Sequence, residues 1–217
     1  AAGPYPGIVR RGFKIQCATT IPRSVGLAGS SALITSALRA LFKFHGITPE
    51  ELGIKPEMMP QVVLDVEVKE LGVNAGLMDR VIQFLGGFVA MDFSQEHFDS
   101  RGYGEYRKLP VALLPPLFLA YNTRAGGESG KVHAPVKQRF KDKDPVVLSG
   151  MIEVAGNCDR AEAALKAGDM RGFAAMLKRN FELRRAMYSD AGIGARNLKV
   201  WEVLNAQGMV AKQSGSG

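Results

Sequence analysis

PRSVGLAGSSA, residues Pro22–Ala32, decides how the rest of the chain is read. Immediately before it Phe13, Ile15, Cys17, Thr19 and Ile21 alternate with the period of a strand, and Pro22 ends the pattern because proline has no N–H for a ladder. Immediately after it Ile34, Ala37, Leu38, Leu41 and Phe42 recur at helical spacing, with Gly46 where a helix would stop. The order is strand, Gly/Ser turn, helix. A turn at that junction faces free backbone N–H groups and the positive end of a helix dipole. Glycine lets the backbone close on an anion with no Cβ in the way. The pattern therefore predicts a phosphate site built from Gly26, Leu27, Ala28, Gly29, Ser30, Ser31 and Ala32, the two serines adding hydroxyls. A linker or a simple helix cap stays open on these residues alone. A Walker A loop is excluded: the tempting SGK at Ser129–Lys131 has Ala125 where the first Gly belongs, and Val132 follows the Lys.

Farther out, Val62, Leu64, Val66 and Val68 alternate and favour a strand over 61–71, although Val63, Val66 and Glu70 can share a helix face. A short helix over Met78–Leu85, a strand over Phe88–Phe93 and a polar connector over 94–108 come next. The run 117–121, LFLAY, reads as a strand after the Pro115-Pro116 break, and 122–131 as a loop. Beyond it the pattern turns helical: Val146–Ala167, then Asp169–Tyr188 with Asp169 as N-cap, then Leu198–Leu204. Strands and helices mix without strict alternation, which predicts an α+β fold.

Composition bounds the function. Of 217 residues, 46% are hydrophobic and 23% charged, as in a water-soluble globular protein. No apolar run reaches a membrane-spanning length, and the N-terminus lacks the apolar core of a signal peptide. The first residue is not Met and the chain stops at KQSGSG, so a fragment or a trimmed chain is expected. Cys17 and Cys158 are too few for a disulfide framework, and His45, His97 and His133 lack metal-ligand spacing. A reducing, cytoplasmic setting is expected. The net charge of +7 comes from scattered Lys and Arg rather than a basic stripe with aromatics. A phosphate-rich small ligand explains it as well as nucleic acid would; charge alone does not decide, and no nucleic-acid partner is expected.

The Pro22–Ala32 stretch resembles the second motif of the GHMP kinases, P-x-x-x-G-L-G-S-S-A, with Leu27-Ala28-Gly29 as its departure. AGLMDR, residues 75–80, is similar to the galactokinase segment ending Gly-Ile-Met-Asp-Gln, whose Asp faces the sugar hydroxyl, and Glu67 stands twelve residues before Asp79. Plant-type glucuronokinases resemble the chain in IPRSVGLAGSSA, KELGVNAGLMDRV, GGFVAMDFS, LLPPLFLAY and SGKVH, from about residue 20 to 140. The terminal AKQSGSG resembles the start of the third GHMP motif.

This resemblance implies a two-domain fold: residues 1–110 as a domain like ribosomal protein S5 domain 2, residues 111–217 as a ferredoxin-like one. It implies an ATP- and Mg²⁺-dependent sugar 1-kinase acting on D-glucuronate. The rivals are another sugar 1-kinase, galactokinase- or arabinokinase-like, and a non-catalytic sugar and ATP sensor. It also implies that 61–71 is helical, and that the first motif and most of the third lie outside this chain, leaving it inactive by itself. Phosphoryl transfer needs phosphate donors, a cation on the ATP oxygens and a carboxylate near the attacking hydroxyl. On the family pattern Ser31 and Glu67 hold Mg²⁺ as hard oxygen ligands. Asp79 accepts or orients the hydroxyl proton. Arg80 keeps Asp79 ionised or stabilises developing charge. Lys131 and His133 are candidates for the substrate carboxylate, alongside Arg80, Arg124 and Arg139. Residue by residue, Asp79-Arg80 also reads as a solvated surface pair and Glu67 as the polar face of an amphipathic element.

Overall fold

The computed structural model describes residues 12–23, 25–73, 75–121 and 129–214, with backbone alone at 129–133. The chain divides into two compact units. One holds the residues up to Ile21 together with Ala28–Leu109, and the other holds Pro22–Leu27 and the chain from Pro110 onward. The whole is rich in helix with a two-stranded sheet, in keeping with an α+β chain.

In the first unit the Gly/Ser turn runs into α1, Gly29–His45, as its apolar periodicity predicts. Gly46 ends the helix in the left-handed region at φ 65°, where glycine carries no Cβ penalty. The stretch 61–71 is helical, not a strand: α2 spans Met59–Asp65 and continues through a π-helical turn, Val66–Glu70. Burial explains the correction. Met59, Val63 and Glu67 recur every four residues and are buried, as is Pro60, whereas the alternating Val62, Leu64, Val66 and Val68 are not. The wide π turn carries Glu67 inward, a local distortion often found at functional sites.

Helix α3, Met78–Leu85, and strand β1, Phe88–Asp92, lie where the sequence predicts them. The polar stretch 94–108, expected to be a connector, instead holds α4, Gln95–Arg101, and β2, Glu105–Leu109. β2 pairs antiparallel with β1, from Phe88 opposite Leu109 to Asp92 opposite Glu105. No residue of α4 is buried, so it carries no apolar stripe to announce it. Gly104 is required at the mouth of this hairpin, because a Cβ there would sit 2.5 Å from the Asp92 carbonyl oxygen.

Two predicted strands, Phe13–Ile21 and 117–121, carry no regular secondary structure and join no sheet among the described residues. Alternation makes a segment fit for a sheet, but a ladder also needs a neighbour, which local pattern does not supply. Phe13 packs on Phe44 of α1 at 5.3 Å, while Leu117, Phe118 and Leu119 remain exposed.

The second unit is helical: α5 Ser129–Lys141, α6 Pro145–Lys166, α7 Met170–Ile193 and α8 Ala195–Ala206. The expected loop over 122–131 thus gives way to helix from Ser129, and 122–128 lie outside the described residues. Asp144 caps α6 by accepting from the Val146 and Val147 N–H groups, with Pro145 in the first turn. Asp169 caps α7 through the Gly172 N–H, as its position predicts. Val147, Leu165, Phe181, Leu183, Met187 and Ile193 form the core, and Phe181 stacks on Trp201 at 4.7 Å. Gly150 lets α6 approach α7, since a Cβ there would lie 2.9 Å from Met187 Sδ. No described helix is long and apolar enough to cross a membrane.

Candidate active site

The site in the first unit grows from the start of α1. Its N-cap residue is Ala28, in the left-handed region at φ 54° and ψ 37°, with no side-chain hydrogen bond capping the helix. Alanine is a poor N-cap because it has no oxygen to offer the first free N–H groups. No acidic residue stands in the helix's own first turn. Such a terminus suits an exogenous anion, and an ATP phosphate fits it.

Ser30 and Ser31 point to different partners. The exposed Ser30 donates through Oγ to Glu67 Oε1 at 3.0 Å. Ser31 is fully buried; its Oγ donates to the Ala28 carbonyl at 3.1 Å and accepts from Gln83 Nε2 at 2.8 Å. Ala32 begins the helix by donating to the same Ala28 carbonyl at 3.1 Å. Gly26 takes φ 73°, a turn conformation open to glycine; it and Leu27 group with the second unit.

Glu67, delivered by the π turn, has no exposed surface. A buried carboxylate requires a counter-charge and hydrogen bonds, and Arg80 supplies both. Arg80 Nε donates to Glu67 Oε2 at 2.7 Å, its Nη2 donates to the same oxygen, and its Nη1 reaches the Gly76 carbonyl at 2.8 Å. The same Nη1 lies 3.5 Å from Asp79 Oδ2, and only 5% of the Arg80 side chain is exposed. Asp79 occupies the first turn of α3, an end that favours negative charge, and its side chain is 38% exposed. Ser30, Glu67, Arg80 and Asp79 are thus linked in one chain of contacts. Arg80 acts here through Glu67 and Gly76, holding the carboxylates in place.

A divalent cation can be tested against these donors. Ser30 Oγ and Glu67 Oε1, hydrogen-bonded at 3.0 Å, are as far apart as neighbouring ligands of an octahedral Mg²⁺, roughly 3.0 Å for ligand distances of about 2.1 Å. Both are hard oxygen donors, and a Mg²⁺ site completed by phosphate oxygens needs few protein ligands. The pair fits. Ser31 has both its proton and a lone pair engaged by Ala28 and Gln83, so the hydroxyl that meets Glu67 is that of Ser30. No group of three or more metal-ligating side chains exists among the described residues.

The side chains of Lys131 and His133 lie outside the described residues, as does Arg124. Arg139 is engaged structurally within the second unit, pairing with Asp144 at 2.8 Å and donating to the Met187 carbonyl. Sequence reasoning missed Gln83 and Thr35. Each stands four residues beyond a residue it did pick, Asp79 and Ser31, and so on the same helix face. A polar side chain at that spacing on an inward face was the available signal.

The cluster lies behind the Gly/Ser turn that resembles the second motif of the GHMP kinases. Residues 2–87 match the family model described as the GHMP kinases N terminal domain. Residues 2–87 thus carry a GHMP kinase N-terminal domain. Among curated proteins it is 42% identical over 208 residues to "Probable glucuronokinase 2" of Arabidopsis thaliana, covering 95% of this chain and 56% of the relative. It is likewise 42% identical over 205 residues to "Glucuronokinase 1" of the same plant, covering 94% and 55%. The chain therefore spans little more than half the length of these relatives. No solved structure matches it significantly.

Proposed function

We propose that this chain forms the ATP-binding part of a sugar 1-kinase that phosphorylates D-glucuronate to D-glucuronate 1-phosphate. The observation that carries the reading is the buried Glu67, charge-balanced by Arg80 and held against Ser30 at the uncapped start of α1. Identity over nearly the whole chain to two relatives named as glucuronokinases supports this choice of acceptor.

In this reading the turn from Gly26 to Ala32 binds the ATP phosphates through backbone N–H groups. Glu67 together with Ser30, or with Ser31 if that hydroxyl rotates away from Ala28, would hold Mg²⁺, which would supply positive charge to offset that of the phosphates. Asp79 accepts the proton of the anomeric hydroxyl as that oxygen bonds to the γ-phosphorus. The bond from phosphorus to the bridging oxygen breaks, and ADP leaves. Arg80 keeps Glu67 and Asp79 in place. Lys131 and His133 are proposed to meet the uronate carboxylate, whose planar pair of oxygens calls for basic donors. The family fold supplies the expected layout, with a domain like ribosomal protein S5 domain 2 followed by a ferredoxin-like one and a cytoplasmic enzyme built from both.

The test is a coupled ADP-release assay of the longest natural reading frame containing these residues, offered glucuronate, galactose and arabinose. Turnover of glucuronate above the other two is expected. Preference for galactose or arabinose would reassign the acceptor, and ATP binding without turnover would favour a sensor.

A further inference from the structure

Gln83 lies one helical turn beyond Asp79 on α3, and its side chain crosses to the start of α1. Its Nε2 donates to the Ala28 carbonyl at 3.1 Å and to Ser31 Oγ at 2.8 Å, while its Oε1 accepts from Thr35 Oγ1 at 3.2 Å. The partners fix the orientation of the amide: a carbonyl can only accept, so the nitrogen must face Ala28. Ser31 and Thr35, both buried, close the network.

Three donors converge on the Ala28 carbonyl: the Ala32 N–H, the Ser31 hydroxyl and the Gln83 amide. Ala28 itself sits at φ 54°, a region its Cβ disfavours and from which it would relax if left alone. The Ala28 carbonyl and the Gly29 N–H belong to one rigid peptide plane. Whatever holds that carbonyl therefore aims the Gly29 N–H, among the first uncapped donors of α1. We propose that Gln83 is a positioning residue which, from the helix that carries Asp79, locks the Ala28–Gly29 peptide plane and so aims the phosphate-binding donors. The donor and acceptor sides of the site are then held in one register. This rests on the kinase reading above for what the N–H groups bind.

The two helices keep a second tie that does not involve the Gln83 side chain. Arg39 of α1 donates through Nη2 to the Gln83 and Phe84 carbonyls at 3.0 and 3.3 Å, and its guanidinium lies over the Phe84 ring at 5.1 Å. Replacing the Gln83 side chain thus leaves the helix packing anchored.

The experiment uses the longest natural reading frame containing the chain, with MgATP binding measured by calorimetry and steady-state constants for ATP and glucuronate. Gln83→Met is expected to weaken MgATP binding and raise KM for ATP by about tenfold, with KM for glucuronate within about twofold of wild type. Adding Ala28→Gly is expected to recover at least about threefold of the lost MgATP affinity, because glycine rests in the left-handed region without help. Gln83→Glu keeps the shape and the Thr35 contact but turns an acceptor toward the Ala28 carbonyl. It is expected to weaken MgATP at least as much, and it decides the matter if Gln83→Met does not fold.

Unchanged MgATP affinity in these variants, or a loss that Ala28→Gly does not relieve, overturns the role of Gln83 and leaves the kinase reading standing. A wild-type protein that binds MgATP but phosphorylates no sugar removes the kinase reading, while the binding arm still decides Gln83. A wild-type protein that binds no MgATP overturns both.

Discussion

The two units differ in that the first, besides surface pairs such as Lys69 with Asp65, buries one ion pair, whereas the pairs described in the helical unit are all at least partly exposed. In the first, Ser31, Thr35, Glu67 and Arg80 are buried together, and hydrogen bonds from this group tie one element to another. In the helical unit the ion pairs lie on the surface: Arg179 with Glu153, Arg185 with Asp190, and Lys166 with Glu162. Surface pairs form between long side chains that water already solvates, and they contribute little. A buried pair survives only if geometry and hydrogen bonds offset its desolvation, so its presence calls for another reason. On the proposed function that reason is a site.

The contrast can be broken most severely at Arg80. Arg80→Met leaves Glu67 as a buried, unmatched charge and should destabilise the chain by about 3–5 kcal/mol, read from urea midpoints. Pairing it with Glu67→Gln should restore most of that stability and none of the activity. If the double variant is active, Glu67 and Arg80 serve the fold alone. Next in size comes the helix crossing of the other unit. Gly150→Val drives a side chain into Met187 and should cost about 1–3 kcal/mol, with no effect on MgATP binding. Smaller, and of opposite sign, is Ala28→Gly. It removes the left-handed penalty of about 1–2 kcal/mol but adds back unfolded-state entropy of about 0.5–1 kcal/mol, so a gain of a few tenths to about 1 kcal/mol is expected in thermal melts.

The least effect should come from the surface pairs. Arg179→Ala should leave the melting temperature within experimental scatter. The guanidinium of Arg179 hydrogen-bonded to Glu153 and that of Arg185 hydrogen-bonded to Asp190 hold both carboxyls below their ordinary values. A carboxylate whose folded value is depressed contributes stability above its unfolded value and loses it as pH falls through the folded one. Stability from these pairs should thus be flat from pH 7 to about 5 and decline only below about 4, with added salt flattening the decline. A marked loss between pH 7 and 6 would contradict that assignment.

The same contrast explains what was legible in the sequence. Helices α1, α6 and α7 were readable because each has an apolar stripe and a recognisable cap or stop, such as Asp169 and Gly46. Strand β1 was readable, but its partner β2 was not, since EYRKL exposes much of its surface and α4 buries none of its residues. The stretch 61–71 misled because its valines alternate while its buried positions recur every fourth residue. The glycine turn, Glu67 and Asp79 were visible as motif residues. What joins them was not, because the Arg80 fork on Glu67, the Ser30 contact and the Gln83 bridge are tertiary facts between residues 13, 37 and 52 positions apart.

On the proposed function, phosphoryl transfer turns on Asp79 as the carboxylate facing the acceptor, and Asp79→Asn tests it while barely changing shape. In the longest natural reading frame, with glucuronate and MgATP, the wild type should release ADP and form glucuronate 1-phosphate. The Asp79→Asn variant should bind MgATP normally and lose about a hundredfold or more of the turnover. An Asp79→Asn enzyme as fast as the wild type would contradict the placement of the acceptor at α3.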